Sequence, residues 1–376
     1  WANLTALTVL RLGHNIFSGP LPDFLGRVSY PYTLRSVPPP YCIDVRIERC
    51  PRQGEVLGAL NMSSNVTKDT VIATFGLRWF SAGYNQWTSG ISAVNSLLTD
   101  IDLEQSQLRG DLRQLLPLFS SPLLRSLRLN GNIISGSIPK ELCRSTAELI
   151  DLSRNDISGA LPACLGDMPN VTTLDFSNNR LTGTLPASLG NLRGTLQHLL
   201  LAGNSLVGPL PGSFASLTNL RTVDLSFNEI GGVLWDYLSL CRRLHFLTSL
   251  NLAGNGIGGQ LSALQFLDDA TTLSSRELWP NLRFCSLAQN NLTGSIPDPF
   301  MLPQLTHLDL ESNHLDGPLP NSLPEKLDVA LFGGNPRMHP SSLSSQTSAL
   351  PTGFKPSSCM LDISANMRCP SLTGSA

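Results

Sequence analysis

Aromatic residues are scarce in this chain, at 6% of 376 positions, and charged residues supply only 14%. Hydrophobic residues reach 41%, so a core can form, built mainly from aliphatic side chains. That share argues against global disorder. Lys and Arg number 26 against 28 Asp and Glu, a net charge of -2. Such a balance leaves no electrostatic footprint for nucleic acid and no cationic face for a lipid surface. No run reaches the roughly 18 uninterrupted apolar residues of a bilayer span, so a membrane is expected only through a segment outside this chain. Catalytic signatures are missing as well: there is no P-loop, no G-x-S-x-G and no H-E-x-x-H. The six histidines, His14, His198, His245, His307, His314 and His339, are scattered without metal-ligand spacing. The expectation is a protein that is not an enzyme and carries no cofactor or metal. Trp1, standing where Met would begin a nascent chain and already inside a patterned segment, suggests a fragment or processed product.

What the chain does have is a period. Leu124, Leu127, Leu129, Asn132, Ile134, Gly136, Ile138 and Pro139 recur as Val171, Leu174, Phe176, Asn179, Leu181, Gly183, Leu185 and Pro186. They recur again as Leu282, Cys285, Leu287, Asn290, Leu292, Gly294, Ile296 and Pro297. The asparagines form a ladder: Asn132, Asn155, Asn179, Asn204, Asn228, Asn255, Asn290, Asn313 and Asn335. Their steps are 22–27 residues, with a single step of 35. Upstream the pattern weakens. Ser106 takes the Asn slot in one unit and Asn15 opens the chain in another, with faint matches around Asn65 and Asn85. A repeat array follows, divided as 1–29 (one repeat), 30–97 (degenerate repeats or an irregular insertion), 98–335 (regular repeats) and 336–376 (cap and tail).

Physical chemistry explains the pattern. The alternation in L-x-x-L-x-L sets a short strand with Leu inward and its neighbours outward. Stacking one such strand per repeat gives a parallel sheet on one side of the coil. Each inward aliphatic contributes about 1.5–3 kcal/mol when a neighbouring repeat covers it. The ladder Asn, with two donors and an acceptor, can satisfy backbone groups that a buried turn would orphan.

Asn290–Pro297 (NNLTGSIP) and Asn179–Pro186 (NRLTGTLP) resemble the plant-type leucine-rich repeat family, whose signature adds L-x-G-x-[IL]-P to the common strand motif. That family includes receptor-like ectodomains, inhibitors of cell-wall polygalacturonases and protozoan surface antigens. The resemblance implies an α/β fold, a right-handed leucine-rich repeat solenoid with a parallel β-sheet on its concave face. It also implies a recognition function: binding of a protein, peptide or glycan, outside the cell or at its surface, by a signalling receptor ectodomain, a receptor-like protein or a hydrolase inhibitor. Terminal caps in this family are often cross-linked, which suggests a Cys359–Cys369 disulfide.

Cys42 and Cys50, eight residues apart in an irregular segment, form a second candidate pair. Cys143 and Cys164 fall on equivalent outer arcs of adjacent repeats, close enough to permit a bond. Cys285 fills an inward Leu slot, and Cys241 has no assignment. Sequons at Asn3, Asn61, Asn65, Asn170 and Asn291 favour a secreted or surface setting. Asn65 cannot be both a buried ladder residue and a glycan carrier, so only Asn3, Asn61, Asn170 and Asn291 are taken as glycosylation candidates. The long step carries an extra segment, 262–279, with loosely helical leucine spacing.

The register predicts an outward row of Asp102, Arg128, Asp151, Asp175, Leu200, Asp224, Asn251, Ser286, Asp309 and Leu331. Flanking it are Glu104, Arg125, Arg154, His198, Arg221, Phe227, Phe284, His307 and Glu311, with Trp79 and Tyr84 joining if the repeat at Asn85 is real. Two readings stay open. The row is a binding face anchored by Trp79, Tyr84, Phe227 and Phe284, since aromatics and Arg concentrate interface energy. Alternatively, Asp in the frequent phrase L-D-L-S only keeps an exposed strand soluble.

Overall fold

The computed structural model describes residues 98–234, 236, 243–261, 279–297, 302–320, 323–324 and 326–338. It also describes, as backbone, Leu7–Arg11, Ser18–Pro20, Tyr41–Asp44, Trp79–Ser81, Gln86–Thr88 and His339. Cys50, Cys241, Cys359 and Cys369, the sequons at Asn3, Asn61 and Asn65, and most of the 262–279 insertion lie outside these residues. The chain packs as two units, Trp1–Leu181 and Thr182–Ala376.

In the first unit a parallel ladder runs in the order Tyr41–Asp44, Leu7–Arg11, Trp79–Ser81, Asp100–Asp102, Ser126–Arg128, Leu149–Asp151, Thr173–Asp175. Leu7–Arg11 pairs directly with Trp79–Ser81, so no strand lies between them. In the second unit the equivalent ladder runs His198–Leu200, Thr222–Asp224, Ser249–Asn251, Phe284–Ser286, His307–Asp309, Val329–Leu331. The central residue of nearly every such strand is buried and its neighbours are half-buried. Leu124, Leu127 and Leu129 show how one repeat fills the core, each at 0% exposure.

One strand per repeat was the expectation, and the coils carry two. After each ladder Asn a second strand forms, such as Ile133–Ser137, Asp156–Ala160 or Asn291–Ser295, and these pair in parallel with their own kind. The cause is stacking: the segment holds one buried Leu or Ile, and its polar backbone finds partners only in the adjacent coil. Its glycine is required. Gly136 sits at φ 89°, and a Cβ there would come within 2.7 Å of the Asp111 carboxylate. A proline at extended φ then feeds a 3-10 turn, as at Pro139 before Lys140–Arg144 and Pro162 before Ala163–Asp167. Those two turns are joined by a Cys143–Cys164 disulfide, with Cα atoms 5.7 Å apart. Cys285 is buried in its inward slot, at 3% exposure.

The asparagine ladder ties coil to coil. Asn155 Oδ1 accepts the Ile134 N–H at 3.0 Å from the preceding coil, and its Nδ2 donates to Leu129 O at 3.0 Å and Leu152 O at 3.1 Å. The same arrangement recurs at Asn132, Asn179, Asn228, Asn255, Asn290, Asn313 and Asn335. Asn204 donates to Leu201 O at 3.0 Å. Ser106, standing in the Asn slot, is fully buried and gives its N–H to Asn132 Oδ1 at 2.9 Å.

Candidate recognition face

Within each unit, the outward positions of the first ladder make a surface of side chains held by the strands. Asp102, Arg128, Asp151, Asp175, Leu200, Asp224, Asn251, Asp309 and Leu331 occupy third positions of successive strands and are half-buried. Ser286 departs from the expectation. It is 3% exposed, and its Oγ donates to Asp309 Oδ2 at 3.1 Å, so the next coil covers it.

The aspartates have a structural duty. Asp151 Oδ1 accepts both the N–H and the Oγ–H of Ser153, at 3.0 and 2.7 Å. Asp175 holds Ser177 and Asp224 holds Ser226 in the same way. Where Ser is absent the N–H bond survives: Asp102 to Glu104, Asn251 to Ala253 and Asp309 to Glu311, at 3.1–3.2 Å. The phrase L-D-L-S is therefore a side-chain-to-backbone turn that ends the strand. It occupies one oxygen and fixes the direction of the carboxylate.

Beyond the strand, the residue before each ladder Asn adopts a left-handed conformation. Gln105, Arg154, Asn178, Phe227, Gln289 and Ser312 have φ of 47–55°, and Gly131, Gly203, Gly254 and Gly334 take the same place elsewhere. Such a backbone is costly for a bulky residue. Phe227 nevertheless holds it with 58% of its surface exposed, and its ring covers Gly254, where a Cβ would approach to 2.7 Å. Phe284 behaves differently: it is half-buried, and it stacks on His307 of the next strand with ring centres 4.8 Å apart and planes 16° off parallel.

Electrostatics follow burial. Burial raises the Asp151 carboxyl above its usual range, Ser153 opposing and Asp175 adding to the effect. Glu311 is raised by burial and by Asp309. His198 is lowered by burial and by Arg221, and His307 by burial against the pull of Asp309.

Some expected members fall outside this geometry. Trp79 is in backbone register with Asp100, but its side chain and all of Tyr84 lie outside the described residues, as does the Cys42 side chain. Asn170 and Asn291 are both exposed; the Asn170 amide donates to Thr146 O at 3.4 Å, and Asn291 opens a second-ladder strand.

Leucine Rich Repeat family models match residues 123–145, 170–192, 195–217, 281–302 and 304–325, and a related repeat model matches 216–233 and 243–260. The chain carries leucine-rich repeats. They are similar to those of plant proteins. Receptor-like protein 7 of Arabidopsis thaliana is 37% identical over 76 residues, covering 20% of this chain and 7% of that protein. The HAESA receptor kinase ectodomain from Arabidopsis, solved in complex with an N-terminally extended IDA peptide hormone, is 25% identical with a TM-score of 0.63. That match covers 89% of this chain and 51% of the other. A TDR receptor structure, 23% identical with a TM-score of 0.66, covers 91% of this chain and 50% of its own, and shares the fold. The chain thus spans about half the length of those two solved chains and matches a small part of Receptor-like protein 7.

Proposed function

We propose that the chain is a non-catalytic recognition module, extracellular or at the cell surface, that binds a protein or peptide through the first-ladder face. The observation that carries this is the row of side chains fixed on rigid strands, with Phe227 kept exposed in a conformation its ring does not favour. The other coils place Gly, Gln, Arg, Asn or Ser there, so stacking does not require a ring at this position. The likeness to an ectodomain solved with a peptide hormone supports a peptide over a glycan. The match to Receptor-like protein 7 favours a receptor-like ectodomain over a hydrolase inhibitor. Glycans at the exposed Asn170 and Asn291 fit the same setting.

Selection of a random peptide library on the full chain tests the reading. Enriched peptides should lose at least tenfold in affinity on Asp175→Arg or Phe227→Ala and keep it on Ser158→Arg, a second-ladder change. Peptides indifferent to every first-ladder variant would overturn it.

A further inference from the structure

The coils of the first unit crowd carboxylates onto one face and its rim. Asp100, Asp102, Glu104, Glu148, Asp151 and Asp175 stand there against Arg125 and Arg128. Strands about 4.8 Å apart keep these charges close. Arg128, in register with both Asp102 and Asp151, offsets the middle of the row. The side at Asp100 and Glu104 keeps its negative charge.

A second observation, independent of charge, falls on the same face. Two buried polar atoms there have no hydrogen-bond partner: Ser126 Oγ, on a residue 9% exposed, and Asn130 Oδ1. Ser126 and Arg128 flank the inward Leu127, so Ser126 points to the sheet face, in register with Asp100. The Asn130 amide nitrogen is engaged with Glu104 Oε2 at 3.4 Å, which leaves its oxygen as an acceptor lacking a donor beside a carboxylate. Native proteins keep few buried acceptors unfilled, and each one calls for a use.

We propose that strands Asp100–Asp102 and Ser126–Arg128 form a subsite for a basic segment of an extended peptide. A Lys or Arg side chain donates to Asn130 Oδ1 with its charge against Glu104, and a second polar group of the segment meets Ser126 Oγ beside Asp100. The inference rests on the peptide-recognition reading above and adds the chemistry of the partner. Arg suits the place well, since its fork can donate to an amide oxygen and a carboxylate together.

The test uses the full chain and a fluorescent nine-residue probe of alternating Gly and Lys, read by anisotropy. Saturable binding of one peptide per chain at low salt is expected, weakening as salt screens the exposed charges. Glu104→Gln combined with Asp100→Asn should weaken it about tenfold, the loss expected when charge-assisted bonds become neutral. Both substitutions keep the acceptors that Asn130 and Thr99 use, so folding is preserved. Asn130→Leu should weaken binding several-fold with little change in melting temperature, because it removes the unfilled acceptor and only the long 3.4 Å bond to Glu104. Phe227→Ala should leave the probe unaffected. No saturable binding, or binding undiminished in the Glu104–Asp100 variant, overturns the subsite. Library peptides that lack Lys and Arg but depend on Phe227 would overturn it alone and leave the face reading standing. Peptides indifferent to all first-ladder residues would overturn both.

Discussion

The two units share one scaffold and differ in what they show on it. Between Asp100 and Asp175 the face is dominated by carboxylates and guanidiniums, whereas from His198 to Leu331 the charges (Arg221, Asp224, Arg283, Asp309, Glu311 and Asp328) are spread among more small, apolar and ring side chains. Ala253 and Ala288 lie buried where Glu104 and Asn130 stand in the first unit, and Phe284 stacked on His307 replaces charge with a flat apolar surface. The backbone bonds beneath are the same in both. Composition of the outward row can therefore change freely while the Asn ladder and inward leucines stay fixed. That separation is what lets a repeat protein vary its specificity without refolding.

The comparison can be broken at its shared part first. Asn155→Ala and Asn290→Ala should each cost about 3 kcal/mol in a denaturant titration, since each orphans a buried N–H and two carbonyls. A large loss in one unit and none in the other would mean the scaffolds are not equivalent. Next comes a feature described only in the first unit. Cys143→Ser with Cys164→Ser opens a loop spanning 21 residues and should cost about 3 kcal/mol or somewhat less, with faster amide exchange in the coils around residues 140–167. Phe284→Ala tests the ring surface: losing a half-buried, stacked ring should cost about 1–2 kcal/mol, and an unchanged melting temperature would make the stack ornamental.

The smallest effects are in pH dependence, with opposite signs at Asp151 and His307. The Asp151 carboxyl is raised in the folded state, so the native chain holds its proton more tightly than the unfolded one. Stability linked to it is present below the ordinary 3.8 and lost as pH rises through the raised value. Asp151→Asn should then raise the melting temperature at neutral pH and lose that gain in strong acid. The turn to Ser153 survives the change, because Asn251 makes the same bond in its own coil. His307 is lowered from 6.5, so its contribution is present above that pH and lost as pH falls through the lowered value. His307→Gln should make the chain less sensitive to acid between pH 7 and 5, measured by thermal melts.

Much of this was legible in the residues because one period governs them. Leu127, Leu129 and Asn132 declare their places through spacing alone, and so do the half-buried Asp151 and Asp175. The second ladder was not legible: a segment such as Ile133–Ser137 reads as a turn, and only the coil beside it makes it a strand. Parity alone placed Ser286 outward, while its burial depends on a hydrogen bond to the neighbouring coil. The duty of Asp in L-D-L-S was written in plain view, since Ser two residues on is the partner. Phe284 takes the outward position its register gives it, but its stack on His307, 23 residues away in sequence, could not be read from spacing.

A photo-crosslinking amino acid placed in turn at Thr173, Thr222, Ser158 and Thr293 tests most directly whether recognition belongs to the first ladder. Peptides enriched on the full chain should be captured from Thr173 or Thr222, on the first-ladder strands, and not from Ser158 or Thr293 on the second. Capture from Ser158 or Thr293 alone would place recognition on the other ladder and contradict the account.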